Sequence, residues 1–252
     1  MSVAIITGTT SGLGRKYVDA LINECPEIDE IWMIARRADR LQAIAEHTPQ
    51  MRFYNLPLDL SEAESFKKLS KTLADKQPKV SALINNAGIN FTGDIKDMPA
   101  SQIQTMINLN ITGSTLMIKT CLPYMQPHSF ILQVASVSSF VANPHQTVYS
   151  ATKAYEASFA NGLRHELAPK GINVCLAYPG NMETEMNHKL LNAKKKTVIN
   201  LLPYLNTEKF AHKTIQMAKK GRASYTMLPF YKAFRVVAKL VPHAFLVRFT
   251  RI

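Results

Sequence analysis

Val3-Ala-Ile-Ile-Thr-Gly-Thr-Thr-Ser-Gly-Leu-Gly14 is the stretch of the chain that carries most information about its fold. Its first four residues predict a short buried strand, and a helix is expected to begin near Leu13. Glycines at positions 8, 12 and 14 permit a tight turn, and the new helix end offers free N–H groups to a pyrophosphate. The pattern is a variant of the dinucleotide-binding fingerprint, although tight packing alone could also require such a turn. The candidate cofactor ligands here are Gly8, Thr9, Thr10, Ser11, Gly12, Leu13 and Gly14.

Six further apolar segments predict strands along the rest of the chain. They cover residues 31–34, 52–56, 80–84, 130–135, 172–178 and 223–228. Helices are expected between them, including long ones over 101–124 and 208–220. Ser61 followed by Glu64 predicts a capping box for the helix after the third strand. Alternating strands and helices predict an α/β fold with one doubly wound parallel sheet (Rossmann type), helices on both faces, and a single domain over 1–252.

The residues after the second strand, Ala35-Arg36-Arg37, indicate which dinucleotide the chain prefers. An acidic residue at this position binds the ribose 2′-hydroxyl, whereas arginine accommodates a 2′-phosphate. Because the acid is absent and two arginines follow, the sequence favours NADP(H), with Arg36 and Arg37 as ligands. The alternative is a solvated, basic start of a helix.

Tyr149 and Lys153 form the pattern Tyr-x-x-x-Lys in a predicted helix, so both side chains lie on one helix face. An ammonium about 4 Å from a phenolate attracts it by roughly 4 kcal/mol at an effective dielectric of about 20, which favours proton exchange near neutral pH. Ser136, at the predicted end of a buried strand, can donate a hydrogen bond to a carbonyl oxygen that accepts this proton. The alternative is an ordinary helix-surface pair.

Asparagines occur at two places in the chain next to apolar segments, where a polar side chain needs a hydrogen-bond partner or a ligand. Asn85-Asn-Ala-Gly88 follows the fourth predicted strand, and it could crowd against an adenosine ribose or form a simple turn. Asn110 lies amid apolar neighbours in the middle of a predicted helix. Its amide therefore needs a partner, for which bent backbone, water and Lys153 are the candidates.

Composition limits the class of protein. A chain of 252 residues with 46% hydrophobic residues can bury a sizeable core, and no apolar run is long enough for a membrane-spanning helix. The start lacks the features of a signal peptide and the three cysteines are widely spaced, so we expect a cytoplasmic protein with reduced thiols. The seven histidines lack metal-ligand spacing, which predicts no metal site. The net charge of +12 would suit nucleic acid, but no recognised nucleic-acid-binding motif accompanies it.

The carboxyl-terminal segment 229–252 combines apolar and basic residues, and no acid follows Glu208. A helix over 230–240 would group its cations on one stripe and its apolar residues on another face. The stripe contains Lys232, Arg235 and Lys239, and the other face contains Phe230, Phe234, Val237 and Val241. Such a segment can contact an anionic membrane peripherally, pack as a terminal helix or dimer contact, or cover the active site. Our hypothesis is that it forms an apolar wall of the substrate pocket and favours lipophilic substrates with a negative group.

Taken in order, these motifs resemble those of the short-chain dehydrogenase/reductase family over nearly the whole chain. The matching set is Thr7-Gly8-x-x-x-Gly12-x-Gly14, Asn85-Asn-Ala-Gly88, Asn110, Ser136, Tyr149-x-x-x-Lys153 and Pro179-Gly180-x-x-x-Thr184. The resemblance implies a sheet of about seven strands with the cofactor across its carboxyl edge. Gln133 and Ala135 depart from the asparagine and first serine that often precede Ser136 in the family, but neither change removes a catalytic group.

The resemblance also implies a role for each site residue. Tyr149 would be the proton donor and acceptor, Ser136 would position the carbonyl, and Asn110 would support a proton-relay water. Lys153 would make the tyrosine more acidic and hold the nicotinamide ribose. The further implied cofactor contacts are Asp59 at the adenine, Asn86, Ala87, Gly88, Pro179, Gly180, Met182, and Thr184 at the nicotinamide carboxamide. Residues 181–206 would contain the substrate loop.

We therefore expect an NADP(H)-dependent oxidoreductase that transfers a hydride reversibly between the cofactor and a small-molecule ketone or secondary alcohol. Steroid or bile-acid ketones, 3-oxoacyl thioesters and small cyclic ketones remain open as substrates, and a homodimer or homotetramer is expected. The alternative is a nonenzymatic dinucleotide sensor on the same fold, which would not need the four catalytic candidates together. A methyltransferase would leave the tyrosine–lysine pair without a purpose.

Overall fold

The computed structural model describes residues 1–182 and 202–250 and contains one seven-stranded sheet. The first half of the chain forms β1 (Ser2–Thr7), α1 (Gly12–Glu24), β2 (Glu30–Ala35), α2 (Ala38–Glu46), β3 (Arg52–Pro57), α3 (Ala63–Lys76) and β4 (Lys79–Asn85). The second half forms α4 (Ala100–Met106), a π-helix (Ile107–Gly113), α5 (Ser114–Cys121), β5 (Met125–Val134), α6 (Thr147–Leu167), β6 (Asn173–Tyr178), α7 (Thr207–Lys219), β7 (Ser224–Thr226), α8 (Pro229–Leu240) and α9 (His243–Leu246).

All strand pairs in the sheet are parallel, and their order is β3-β2-β1-β4-β5-β6-β7. The prediction of a doubly wound α/β fold with about seven strands is therefore confirmed. The direction in which strands are added reverses between β1 and β4. Such a reversal opens a crevice at the carboxyl edge of a parallel sheet, where ligands bind.

The core lies on both faces of the sheet because successive strand side chains point in opposite directions. In β1, Ala4 and Ile6 belong to the core that contains residues of α1 and α7, whereas Val3 and Ile5 belong to the core that contains residues of α3, α5 and α6. All four are fully buried, which explains why this strand is a continuous apolar run rather than an alternating one. Because side chains pack on both faces of β1, its carboxyl end is held rigidly.

Three local features differ from what the sequence predicts. β5 begins at Met125 rather than at residue 130, with a shift of register against β4 after Val80. The helix expected over 101–124 is interrupted by the π-helix. The predicted capping box is wrong, because Ser61 Oγ donates to Asp59 Oδ1 at 2.7 Å and Glu62 precedes α3. This local side-chain bond competes with helix capping.

The tail, by which we mean residues 229–250, is anchored by Tyr231, a residue that the sequence analysis left out of the helix faces. Tyr231 is buried, its Oη accepts a hydrogen bond from Asn181 N at 3.0 Å, and it donates to Pro203 O at 2.9 Å. A Cβ atom on Gly180 would lie 2.4 Å from the Tyr231 ring, so a side chain at residue 180 would displace it. The absence of a side chain at Gly180 therefore allows α8 to dock on the end of β6.

Anchoring at Tyr231 decides which side of α8 is buried. Phe230 and Val237 belong to the apolar face that the sequence predicts, and both are exposed. Arg235 belongs to the predicted cationic stripe, and its guanidinium Cζ lies 4.8 Å from the Tyr178 ring centroid and its Nη1 donates to Ser224 Oγ at 2.8 Å. The side of α8 that packs on the domain is therefore not its apolar face. Among the residues described, no helix is both long and apolar enough to cross a membrane.

Candidate active site

The turn between β1 and α1 requires glycine at two positions for geometric reasons. Gly8 adopts φ +73°, a left-handed conformation that side chains disfavour. A Cβ atom on Gly14 would lie 2.0 Å from Gly8 O, so the first turn of α1 could not approach the loop with any larger residue. The turn thus presents bare backbone and a helix amino terminus at the carboxyl edge of the sheet, which is suited to binding a pyrophosphate.

The segment after β4 is fastened to the end of β1 by Thr7. Thr7 Oγ1 accepts hydrogen bonds from Asn86 N and Ala87 N, each at 2.9 Å, and Asn86 Nδ2 donates to Thr7 O at 3.0 Å. Asn85 turns the other way, and its Nδ2 donates to Gln133 Oε1 and Ser114 O, both at 2.9 Å. The two asparagines therefore have different roles: Asn86 shapes the cleft wall and Asn85 ties β4 to β5.

These turns border a cleft of ≈ 240 Å³ along the crevice between β1 and β4. Sixteen of the predicted cofactor residues line it: Gly8, Thr10, Ser11, Gly12, Leu13, Gly14, Arg36, Arg37, Asp59, Asn86, Ala87, Gly88, Tyr149, Lys153, Pro179 and Met182. Thr9 does not line the cleft; it is fully buried, and its Oγ1 has no hydrogen-bond partner among the described residues. Gly180 faces Tyr231 instead, and Thr184 lies outside the described residues. The lining combines the bare backbone of the glycine turn with the basic side chains of Arg36 and Arg37, and both kinds of group bind phosphate.

One end of the cleft carries three arginines. Arg37 Nη2 donates to Thr10 Oγ1 at 3.1 Å, and Arg40 Nη1 lies 3.4 Å from Thr10 O. Arg36 Nη1 is 3.7 Å from Asp59 Oδ2, and the side chain of Arg36 is exposed while that of Asp59 is half-buried. The sequence analysis did not single out Arg40, although its position three residues after Arg37 places both on one side of α2. The cationic group is thus larger than the sequence motif indicated.

The candidate acid and its neighbours lie on α6 and at the end of β5. Tyr149 is in the first turn of α6 and lines the cleft, with Lys153 Nζ 5.9 Å from its ring centroid. Ser136 is nearly buried just after β5, and its Oγ accepts a hydrogen bond from Ser138 N at 3.1 Å. Because that oxygen accepts from the backbone, its own hydrogen can be directed towards a substrate oxygen. Tyr149 and Lys153 thus line the cleft, whereas Ser136 does not line it but directly follows Ala135, which does.

Lys153 is paired with a carboxylate that the sequence analysis missed. Its Nζ donates to Glu156 Oε2 at 2.8 Å and to Val134 O at 3.1 Å, and the side chains of Lys153 and Glu156 are 5% and 1% exposed. Burial opposes the charge on Lys153, but the charges of Glu156 and Tyr149 outweigh burial and raise the pKa of the ammonium. Burial raises the pKa of the Glu156 carboxyl to about 7, although Lys153 and Gln133 act in the opposite direction. Lys153 therefore stays protonated.

The sequence could have identified Glu156 as a partner of Lys153, because residues three apart on a helix are neighbours. Gln133, noted as a departure from the family, also has a structural partner, because its side chain donates to Glu156. Its Oε1 accepts from Asn85 Nδ2 and lies 3.2 Å from Ser114 Oγ. A buried polar chain therefore connects Lys153 to the end of β4.

Asn110 lies within the π-helix and is fully buried. Its Oδ1 accepts from Ile89 N at 2.9 Å, and its Nδ2 donates to Ile89 O at 2.9 Å and to Thr152 Oγ1 at 3.0 Å. The backbone of Ile89 and the hydroxyl of Thr152 are therefore its partners, and Lys153 is not one. A Cβ atom on Gly88 would lie 3.3 Å from both Asn110 Oδ1 and Lys153 Nζ, so these two side chains flank Gly88. The role in a proton-relay water stays a prediction.

The sequence of the chain matches a known family and known relatives. Residues 2–195 match the family model described as short chain dehydrogenase. An oxidoreductase of Staphylococcus aureus (strain MRSA252), described as uncharacterized, is 31% identical over 184 residues, which are 72% of this chain and 78% of the relative.

Solved structures share the fold over almost the full length. A short-chain dehydrogenase from Sphingobium yanoikuyae in complex with NADPH gives a TM-score of 0.79 at 22% identity, over 95% of this chain and 94% of that chain. A short chain dehydrogenase from Burkholderia cenocepacia J2315 in complex with NADP gives a TM-score of 0.74 at 19% identity, over 88% and 93% of the two chains. At these identities the likeness concerns the fold.

Proposed function

Because the chain belongs to the short-chain dehydrogenase family of oxidoreductases, we propose that it transfers a hydride reversibly between NADP(H) and a carbonyl or secondary alcohol substrate. The observation that carries this proposal is that Tyr149 and Lys153 line the same cleft as the glycine turn and the arginines. A binding protein without catalysis would need the glycine turn but not a tyrosine and a buried ammonium beside it. The specific reaction is therefore proposed from the site rather than from the fold.

The choice of NADP(H) over NAD(H) is supported by charge at the adenosine end of the cleft. Ala35, where an acid would bind a ribose 2′-hydroxyl, is followed by Arg36 and Arg37, and Arg40 joins them around Thr10. Guanidinium groups bind phosphate through paired, charge-assisted hydrogen bonds. Asp59, the one acid among the described residues that line the cleft, pairs with Arg36. One carboxylate against three guanidinium groups leaves this end of the cleft with net positive charge.

Each catalytic candidate has a distinct part in the proposed reduction of a carbonyl. The bound dinucleotide would supply the hydride. Tyr149 Oη donates the proton to the carbonyl oxygen, and Lys153 stabilises the phenolate that remains. Ser136 Oγ donates a hydrogen bond to the same oxygen as negative charge develops there, which is the general advantage of a preorganised donor. In the oxidation of an alcohol, the phenolate accepts the proton.

Lipophilic carbonyl compounds, such as steroid-like ketones or 3-oxoacyl thioesters, are our proposed substrate class. The support comes from the loop after Ser136, where the Phe140 ring lies 4.8 Å from that of Tyr178 and 6.2 Å from that of Phe234 in the tail. The tail is also fastened to this loop, because His243 Nε2 accepts from Ala142 N at 3.1 Å. The loop after Ser136 is thus surrounded by aromatic rings, and an apolar substrate wall formed in part by the tail stays our proposal.

The test is NADPH oxidation with a panel of ketones, comparing the wild type with Tyr149→Phe. Loss of the proton donor is expected to lower turnover by about a hundredfold to ten-thousandfold while NADPH binding is retained. Tyr155→Phe is the matched control, because Tyr155 also lies on α6 but contacts Thr115 Oγ1 outside the cleft. Retention of a tenth of the wild-type rate by Tyr149→Phe would show that another group is the acid. NADPH binding without oxidation by any ketone would favour a sensor.

A further inference from the structure

The tail exposes an apolar surface on the side of α8 opposite Tyr231. Ten large apolar side chains are exposed among the residues the structure describes, and six of them lie in the tail. We call these six the tail surface: Phe230, Val236, Val237 and Leu240 on α8, with Phe245 and Phe249 beyond it. Leu240 is 78% exposed, the largest value of the ten. Single exposed apolar residues are ordinary, but a cluster marks a contact surface.

Helix geometry makes the tail surface continuous. At 3.6 residues per turn, the four α8 members fall within an arc of about 120°. The rings of Phe245 and Phe249 pack with centroids 5.1 Å apart, which extends the apolar area past the end of α8. Lys232 and Lys239 are exposed at one edge of the arc, and Arg248 is exposed between the two phenylalanines. Apolar side chains bordered by cations are therefore displayed together.

The outward orientation of this surface is fixed by contacts on the other side of the tail. Tyr231 Oη bonds to Asn181 N and Pro203 O, and Arg235 bonds to Ser224 Oγ. Beyond α8, Thr250 Oγ1 donates to Ala142 O at 2.9 Å. The helix cannot rotate to bury the apolar arc without breaking these bonds. The exposed arc is thus part of the folded arrangement.

We propose that the tail surface docks on an anionic lipid surface. The argument is charge complementarity combined with apolar exposure, the two properties that hold an amphipathic helix in the interfacial region of a membrane. No acid follows Glu208, while the chain after it carries Lys209, Lys213, Lys219, Lys220, Arg222, Lys232, Arg235, Lys239, Arg248 and Arg251. The proposal does not depend on the enzymatic function proposed above.

Two other occupants fit the charges less well. A second copy bound through the tail surface with the two α8 helices antiparallel about a twofold axis would bring the edges that carry Lys232 and Lys239 together, and like charges repel. The segment 183–201 contains four lysines and two glutamates in its sequence, so it also offers net positive charge to a basic surface. An anionic bilayer supplies both the apolar interior and the opposite charge.

The experiment is co-sedimentation with vesicles of phosphatidylcholine alone and of phosphatidylcholine with phosphatidylglycerol, at low and high salt. The wild type is expected to bind the anionic vesicles at low salt and to release them at high salt, because screening shortens the reach of charges. Lys232→Gln with Lys239→Gln should weaken binding about thirtyfold, since each cation near an anionic surface contributes about fivefold. Leu240→Gln should weaken it about tenfold through loss of apolar burial.

Matched variants separate the tail surface from general charge and hydrophobicity. Lys68→Gln with Lys71→Gln removes the same charge from exposed positions of α3, and Ile95→Gln removes an apolar side chain that is 59% exposed elsewhere. Both are expected to bind vesicles as the wild type does. Circular dichroism and urea midpoints show that each variant is folded, so a loss of binding cannot be ascribed to unfolding.

Three outcomes would overturn the proposal. The first is no binding of the wild type to anionic vesicles at low salt. The second is an equal loss of binding in the tail variants and their matched controls, which would assign binding to overall charge. The third is self-association of the wild type without lipid, together with no binding to vesicles. If Leu240→Gln abolished that self-association, the tail surface would be assigned to a second copy.

Discussion

Lys153 lies between the Glu156 carboxylate and the Tyr149 ring, and this double environment determines how strongly it can act on Tyr149. Its Nζ is 2.8 Å from Glu156 Oε2 and 5.9 Å from the Tyr149 ring centroid. A buried cation needs a partner, since an uncompensated charge in the core is strongly destabilising. The carboxylate that satisfies this need also offsets part of the attraction between the ammonium and the phenolate. Glu156 is therefore expected to set the pH range of the reaction.

Glu156→Gln tests this at the level of one residue. Removing the carboxylate leaves the ammonium acting on the phenolate alone, so alcohol oxidation should persist to lower pH by about one pH unit. The measurement is kcat/KM for NADP⁺-dependent alcohol oxidation from about pH 5 to about pH 10, which brackets the near-neutral pKa expected of a general base. Glu166→Gln, an exposed acid on the same helix, is the control and should leave the profile unchanged. An unshifted acid limb in Glu156→Gln would contradict the argument.

At the scale of elements, the site depends on two local departures from a regular α/β unit. The π-helix between α4 and α5 adds an extra residue to a helical turn, and such turns occur frequently at functional sites. It holds Asn110 against Ile89 and Thr152. The second departure is the approach of α2 to the glycine turn, which brings Arg37 and Arg40 onto Thr10. In both cases the contacts join residues from different elements of the fold.

Because α2 brings Arg37 to the glycine turn, we expect this arginine to select NADPH over NADH. The wild type should prefer NADPH to NADH, and Arg37→Ala should reduce the preference about ten- to a hundredfold, because a charge-assisted contact contributes roughly 1.5–3 kcal/mol. The measurement is kcat/KM with each cofactor. Arg52→Ala is the control, since Arg52 is on β3 and pairs with Glu30 away from the cleft. Equal efficiency of the wild type with both cofactors would refute the phosphate site.

At the scale of the whole molecule, the sheet separates two buried layers that both contain thiols. Cys25 and Cys175 belong to the layer with α1 and α7, and Cys121 belongs to the layer with α3 and α5. All three are free and buried. Burial raises the pKa of Cys121 and of Cys175 to about 12, and that of Cys25 to about 11. At alkaline pH the folded protein therefore keeps these thiols protonated, whereas the unfolded chain ionises them.

Alkaline pH should destabilise the protein through these thiols. The ordinary thiol pKa is 9.0, so the stabilising difference is complete below pH 9 and is lost as pH rises towards 12. At pH 10 the loss should be roughly 1.4 kcal/mol each for Cys121 and Cys175. The measurement is the free energy of unfolding by urea at pH 8 and pH 10. In Cys121→Ala the difference between the two pH values should be smaller by that amount, and an identical difference in both proteins would contradict the assignment.

Much of the fold could be predicted because its signals are local. Most strands of the sheet appear as short apolar runs, and the glycine turn at residues 8–14 and the Tyr149–Lys153 spacing are fixed by chain geometry over a few residues. The predicted sheet was confirmed, with the main discrepancies at element boundaries such as the start of β5. Those boundaries depend on pairing with a neighbouring strand, which no short segment specifies.

Local patterns along the chain are enough to predict the order of strands and helices, the bare backbone at the glycine turn, and the residues available for proton transfer. Which partners those residues have depends on how distant segments pack together. The tertiary structure paired Lys153 with Glu156, gave Asn110 to Ile89 and Thr152, and placed Tyr231 against Gly180, so that α8 turned its apolar arc outwards. The physical reason is that periodicity shows that a helix has two faces, whereas the choice of the buried face depends on where distant segments leave space and unsatisfied hydrogen-bonding groups.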